Sequence, residues 1–262
     1  MTRAARELWA VPAIAERDVI KLVRDRPRLA VNLAFPILLV AGLGSVLQTT
    51  VGRVTGLNAV TLAFSGVLAA TMFQSTAAGM ISLVEDRKTD YSRALFVAPV
   101  ARLTLITGKV AGETLVALVQ GACVAAFAVA AGVRLSAGQV AALLPACLLC
   151  CLLGGAFGLA TVAAIANQRS AMEIFQFLII PQYVLGGVIV PLAGASRSLT
   201  VIADAMPLRY AVDLTRAAFY RGTPAYGRVV TGGPALDLAV ITALFAVLLT
   251  AGAILFDRHE RS

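Results

Sequence analysis

From Leu57 to Val84 the chain runs for about 28 residues without one charged side chain. A helix needs about 20 mostly apolar residues to cross the hydrocarbon core of a bilayer, so this run is long enough to span. Five other stretches pass the same test: 31–51 with Pro36, 103–133 with Lys109 and Glu113 near its start, 140–166, 174–192 with Pro181, and 236–256. Composition agrees. The chain is 59% hydrophobic and 14% charged, where a soluble domain carries about 25% charged residues. The expected fold is an all-α membrane protein with six transmembrane helices over 31–256. A segment at 1–30 precedes them and a short tail at 257–262 follows.

Residues 1–30 scatter charges throughout and do not read as a secretory signal, which needs a continuous apolar core. They read as an amphipathic helix on the membrane surface, with Leu8, Trp9, Ile14, Ile20 and Val23 as apolar contacts. The net charge of +8 would suit a nucleic-acid surface. In a chain this apolar the positive-inside rule accounts for it instead, and no nucleic-acid partner is expected. With the N-terminus inside, fifteen of the 22 Lys and Arg fall on the cytoplasmic side and seven outside. Both termini are therefore expected in the cytoplasm. Arg far outnumbers Lys, and Ala, Val and Gly abound, which fits a bacterial plasma membrane. One loop disagrees with the charge bias. Between Ala193 and Ala235 lie Arg197, Arg209, Arg216, Arg221 and Arg228. The same loop holds two helix-like pieces, "LTVIADAM" and "YAVDLTRAAFY", each too short to span. They are expected to lie in the interface or to re-enter the membrane.

Several chemistries are missing. A phosphate-binding P-loop needs two glycines five apart, then Lys and a hydroxyl residue. The only Gly-Lys pair is Gly108–Lys109, with Leu103 at the first glycine position and Val110 after the Lys. The chain is thus not expected to hydrolyse ATP or to bind a cofactor. His259 stands alone in the tail, which removes the usual nucleophile–base pairs. Cys123, Cys147, Cys150 and Cys151 lie in apolar runs without metal-ligand partners and read as small packing residues. An ion-coupled carrier would place acids in mid-membrane. Only Glu113 and Glu173 approach that, near the ends of their spans. A scaffold or a lipid-metabolising enzyme is a third reading, but no polar catalytic cluster supports it. Gln48, Gln74, Ser75, Thr76, Gln120, Asn167 and Gln176 sit within or beside the spans. They either line a cleft or satisfy helix–helix contacts.

The stretch "EDRKTDYSRALFVAPVAR", Glu85 to Arg102, packs seven charges into 18 residues on the cytoplasmic side. Two readings stand. It is a solvated loop anchoring two helix ends, or its apolar centre, Leu95 to Val100 in a charged frame, is a docking surface.

Three pieces of sequence carry a family likeness: "EDRKTDYSRALFVAPVARLTLITGK", "YVLGGVIVPL" and "MPLRYAVDLTRAAFYRG". In this order and spacing the chain resembles the permeases of the type-2 ATP-binding cassette exporter family, close to the daunorubicin-resistance group. The resemblance implies six spans, an N-terminal interface helix and a short cytoplasmic coupling helix. It implies a second permease chain and a separate ABC ATPase subunit that binds ATP and Mg. Carried over by position, Glu85, Asp86, Arg87, Arg93, Phe96 and Pro99 fall in the ATPase-coupling segment. Gly187, Pro191, Pro207, Asp213 and Arg216 fall at an external gate. Asp90 departs from the family pattern, where Gly is common. The function implied is export of a lipophilic or lipid-linked substrate by alternating access; the alternative is an ion-coupled secondary transporter.

Overall fold

The computed structural model describes residues 12, 15–22, 24–48, 57–81, 102–163, 165, 168–192 and 196–261. Over these residues the regular structure is helical, and no strand occurs among them. The long helices are α1 (Arg26–Leu47), α2 (Ala59–Ile81), α3 (Arg102–Ala130), α4 (Ala137–Ala163), α5 (Gln168–Leu185) and α9 (Pro234–Arg261). Shorter helices α6 (Arg197–Asp204), α7 (Pro207–Phe219) and α8 (Tyr226–Val229) lie between α5 and α9. A helical segment at 15–22 precedes α1. Its end of the bundle, with the start of α3, is called proximal below. The end holding the 131–136 and 220–233 connections is called distal.

Helix α2 is the hub, packing against α1, α3, α4, α5 and α7. Small residues make this possible. A Cβ at Gly154 of α4 would strike the Phe73 carbonyl of α2, and one at Gly158 would strike the Ala77 carbonyl. Glycines one turn apart bring two backbones into contact, the small-xxx-small packing of membrane helices. Phe64, Phe73, Leu153 and Phe175 fill the remaining space. Helices α1 and α9 are peripheral: 17% of each apolar window is buried, against 78% in α2. Exposed Leu38 and Val247 carry no penalty where the solvent is acyl chain.

Among the described residues, five helices are long and apolar enough to cross a membrane: residues 29–47, 59–81, 107–130, 137–163 and 234–252. The expected fifth span, 174–192, is the exception. Helix α5 starts earlier, at Gln168, and stops at Leu185. The amide of Gly186 bonds the Gln182 carbonyl at 2.8 Å, and Gly187 takes a left-handed φ of 73°. That geometry closes a helix and favours glycine. Val188, Ile189 and Val190, read as the end of a span, form a turn instead. The Val188 carbonyl lies against Gly66 of α2, where any Cβ would collide with it.

Helix α7 occupies the room this break leaves. At one end the Phe219 carbonyl accepts from Gln139 Nε2 at 3.0 Å, in the first turn of α4. Deeper, the Ala211 carbonyl receives Cys150 Sγ at 3.6 Å, and Thr215 Oγ1 lies 3.5 Å from the same sulfur. Cys150 is 13 residues into the 27-residue α4, or about 20 Å at 1.5 Å per residue. So α7 enters from the distal end and reaches half-way along α4. It is re-entrant, covered by α2, α4 and α9, as irregular backbone at membrane depth requires. Helix α6 behaves differently, leaving Val201 and Ile202 exposed.

Candidate functional site

Near the proximal end, Lys109 and Glu113 sit one turn apart on α3, with Nζ and Oε1 2.7 Å apart. The same ammonium is 3.1 Å from Asp18 Oδ2, and Asp18 Oδ1 is 2.8 Å from Arg17 Nη2. Asp18, Lys109 and Glu113 are 4%, 3% and 6% exposed. None of the three snorkels to water. Glycine again makes the room: Gly112 faces Asp18 and the Ala15 backbone, and Gly79 faces the Glu113 carboxylate. The 15–22 helix is thereby held on α3, with Ala15, Asp18 and Leu22 buried and Ile20 exposed. It is an integral part of the bundle as well as an amphipathic segment. Leu8, Trp9, Ile14 and Val23 lie outside the described residues.

Next to this cluster is a cavity of about 490 Å³. Asn32 of α1, Gln74 and Ser75 of α2, Gln120 of α3 and Gln176 of α5 face it, as does Glu113. Phe35, Val116 and Met172 supply its apolar wall. Four of the seven polar residues singled out in the sequence therefore converge from three helices. The others do different work. Thr76 Oγ1 bonds back to its own helix at Met72 and Phe73. Gln48 accepts from the Ala59 amide at 2.9 Å and caps α2. Asn167 lies outside the described residues. Tyr183 donates to Gln74 Oε1 at 2.6 Å and packs edge-on against Phe35, tying α5 to α1 and α2 above the cavity. Glu173 is not at the cavity; it is exposed beside Arg169, one turn away on α5.

The 186–190 turn sits against Gly66, five residues beyond the cavity residue Thr71 on α2, about 8 Å along the axis. Here the structure assembles most of the residues assigned to the external gate. Arg216 is 2% exposed, and its Nη2 donates to the Val188 carbonyl at 3.4 Å. A Cβ on Gly187 would lie 3.6 Å from Arg216 Nη1. Pro207 is the first residue of α7, where a missing amide hydrogen costs no bond. The next amide, Leu208, donates to Gln182 Oε1 at 3.2 Å, so the broken end of α5 caps α7. Pro191 follows the turn, half-buried.

Asp213 faces the other way. Its carboxylate accepts the Thr231 amide at 2.9 Å and the Gly232 amide at 2.6 Å, beside Asp237 of α9. This ties α7 to the connection entering α9. Charged acceptors of this kind contribute about 2 kcal/mol. Asp213→Ala should therefore speed hydrogen exchange at the 231 and 232 amides by about 30-fold, read by mass spectrometry. Unchanged protection would show that the loop is held elsewhere. Gln182, Asp18 and Asp237 had no signal in the sequence, since each acquires its role only through a distant partner.

Glu85, Asp86, Arg87, Arg93, Phe96 and Pro99 lie outside the described residues. No curated protein matches the chain. The profile of the ABC-2 type transporter family matches residues 10–220, a stretch running from before the docked 15–22 helix, through the cavity and the interrupted span, to the end of α7. The match covers most of the chain, including every helix that lines the polar cavity, and this chain belongs to the ABC-2 type transporter family.

Proposed function

We propose that the chain is the permease half of an exporter, moving a lipophilic or lipid-linked substrate outward with energy from a separate ATPase. The observation supporting this reading is the arrangement along α2: a polar cavity in the proximal half, and the 186–190 turn with α7 filling the distal half. A polar cavity on one side and packed helix on the other is the arrangement that alternating access needs. The mixed lining, amides beside Phe35 and Met172, suits an amphipathic substrate such as a daunorubicin-like drug or a lipid with a polar head. Gly187, Pro191, Pro207, Asp213 and Arg216 form the gate in this scheme. The proximal end faces the cytoplasm of a bacterial cell, and a second permease chain completes the pathway. ATP and Mg bind to the partner ATPase, which docks on the segment containing Glu85, Asp86, Arg87, Arg93, Phe96 and Pro99.

Reconstitution in liposomes tests this. Vanadate-sensitive ATP hydrolysis should appear only when an ABC ATPase subunit is added, and Phe96→Asp should abolish the pairing without affecting membrane insertion. Transport driven by a proton gradient with no ATPase present would overturn the proposal in favour of an ion-coupled carrier. That reading has one residue at the cavity, Glu113, whose carboxylate is already paired with Lys109.

A double change of Gln120 and Gln176 to Leu removes two amides from the cavity. Transport of an amphipathic drug should fall about tenfold, the scale of one to two hydrogen bonds, while basal ATP hydrolysis continues. Unchanged transport would place the pathway elsewhere.

A further inference from the structure

We propose that the groove between α4, α7 and α9 binds one phospholipid, an acyl chain lying along Pro145, Leu149 and Leu214 and the phosphate resting on Arg221. The groove has a volume of about 680 Å³ and is separate from the polar cavity. Its floor is shallow because alanines of α4 and α7, Ala146 and Ala218 among them, line it. Leu238 of α9 forms the far wall and is 45% exposed.

Depth identifies the occupant. The wall on α4 runs from Ala142 to Leu149, about 8 to 18 Å from the helix start at Ala137. That is the acyl-chain zone of one leaflet, half of a hydrocarbon core about 30 Å thick. Arg221 lies two residues beyond the end of α7, and Phe219 at that end is bonded to Gln139 in the first turn of α4. The guanidinium is thus at head-group level, above an apolar slot. Gly222, with a left-handed φ of 76°, turns the chain immediately afterwards. Tyr226 shares the mouth, in the interfacial position that tyrosine favours.

Charge supports the same occupant. The arginines between Ala193 and Ala235 oppose the charge bias of the rest of the sequence. The fold accounts for three of them: Arg216 bonds Val188, Arg209 pairs with Asp204, and Arg228 is also partnered. Arg221 is exposed and has no ion pair among the described residues. A cation at this level, above an apolar slot, complements a lipid phosphate.

Native mass spectrometry of the full chain in detergent tests the assignment. One phosphatidylglycerol per chain should be retained in preference to diacylglycerol with the same tails. Arg221→Gln should weaken that retention about fivefold, the scale of one arginine near an anionic lipid surface. Ala218→Trp, which fills the slot, should abolish it. Val247→Trp, on the exposed face of α9 away from the groove, should leave it unchanged. Equal retention of the two lipids, or an Arg221→Gln variant that binds as the parent does, overturns the proposal. Competition by free glycerol phosphate would make this a phosphate site without a lipid. Loss of a dimer in Ala218→Trp with lipid retention intact would give the groove to a second copy. Either result also overturns it.

Discussion

Lys109→Met is expected to destabilise the protein by about 3–5 kcal/mol and to release the 15–22 helix from α3. The ammonium is shared by two carboxylates, Asp18 at 3.1 Å and Glu113 at 2.7 Å. All three groups are more than nine-tenths buried. Removing the cation leaves two acids facing each other where little water can screen them, and most of the cost lies in that desolvated negative charge. Thermal unfolding in detergent should show an earlier transition, and limited proteolysis should cut between Arg17 and Arg24. The triple change Asp18→Asn, Lys109→Met, Glu113→Gln should recover most of the loss, because a neutral cluster has no ion to desolvate. A Lys109→Met protein that melts with the parent would remove this cluster as the anchor. Arg169→Ala gives the contrast. Its pair with Glu173 is largely exposed, at 88% and 68%, and such pairs contribute about 0–1 kcal/mol.

Gly158→Leu should prevent folding. Any Cβ at this position meets the Ala77 carbonyl and Cα of α2. A side-chain neighbour could rotate away; a backbone cannot, so α4 and α2 must separate. Overpacking a core costs about 1–3 kcal/mol where side chains can adjust, and this site falls at or beyond the upper end. The damage spreads, because α4 also holds α7 through Cys150 and Gln139. Size-exclusion chromatography should show aggregate in place of a monodisperse peak. Gly155→Ala, three residues earlier in the same helix, is the control. Its Cβ would come no nearer than 3.8 Å to Met80 and Val110, an ordinary contact, and the variant should behave as the parent does. If both variants behaved alike, close α2–α4 packing would not be what holds the bundle.

The spans were legible because lipid imposes a one-dimensional test. A segment must be long, apolar and nearly free of charge, and α1, α2, α3, α4 and α9 satisfy this without reference to anything else. The test failed over 174–192 for an identifiable reason. Val188, Ile189 and Val190 are as apolar as any helical residue, so hydropathy could not distinguish a spanning helix from a turn buried in protein. The positive φ of Gly187 and the fit of the Val188 carbonyl against Gly66 depend on α2, more than 100 residues earlier.

Polar residues divide in the same way. Gln74, Ser75, Gln120 and Gln176 could be named from sequence as candidates for a cleft or for helix contacts. Only packing separated them from Thr76 and Gln48, because the outcome depends on which face of each helix meets a neighbour. Lys109 and Glu113 were visible as charges inside a span, but Asp18 could be joined to them only across 91 residues. By itself the sequence determined the solvent: long uncharged runs made this a helical membrane protein. Tertiary structure alone decided where α5 breaks, how far α7 re-enters and which charges are neutralised, because each follows from contacts between residues far apart in the chain, and no local pattern encodes them.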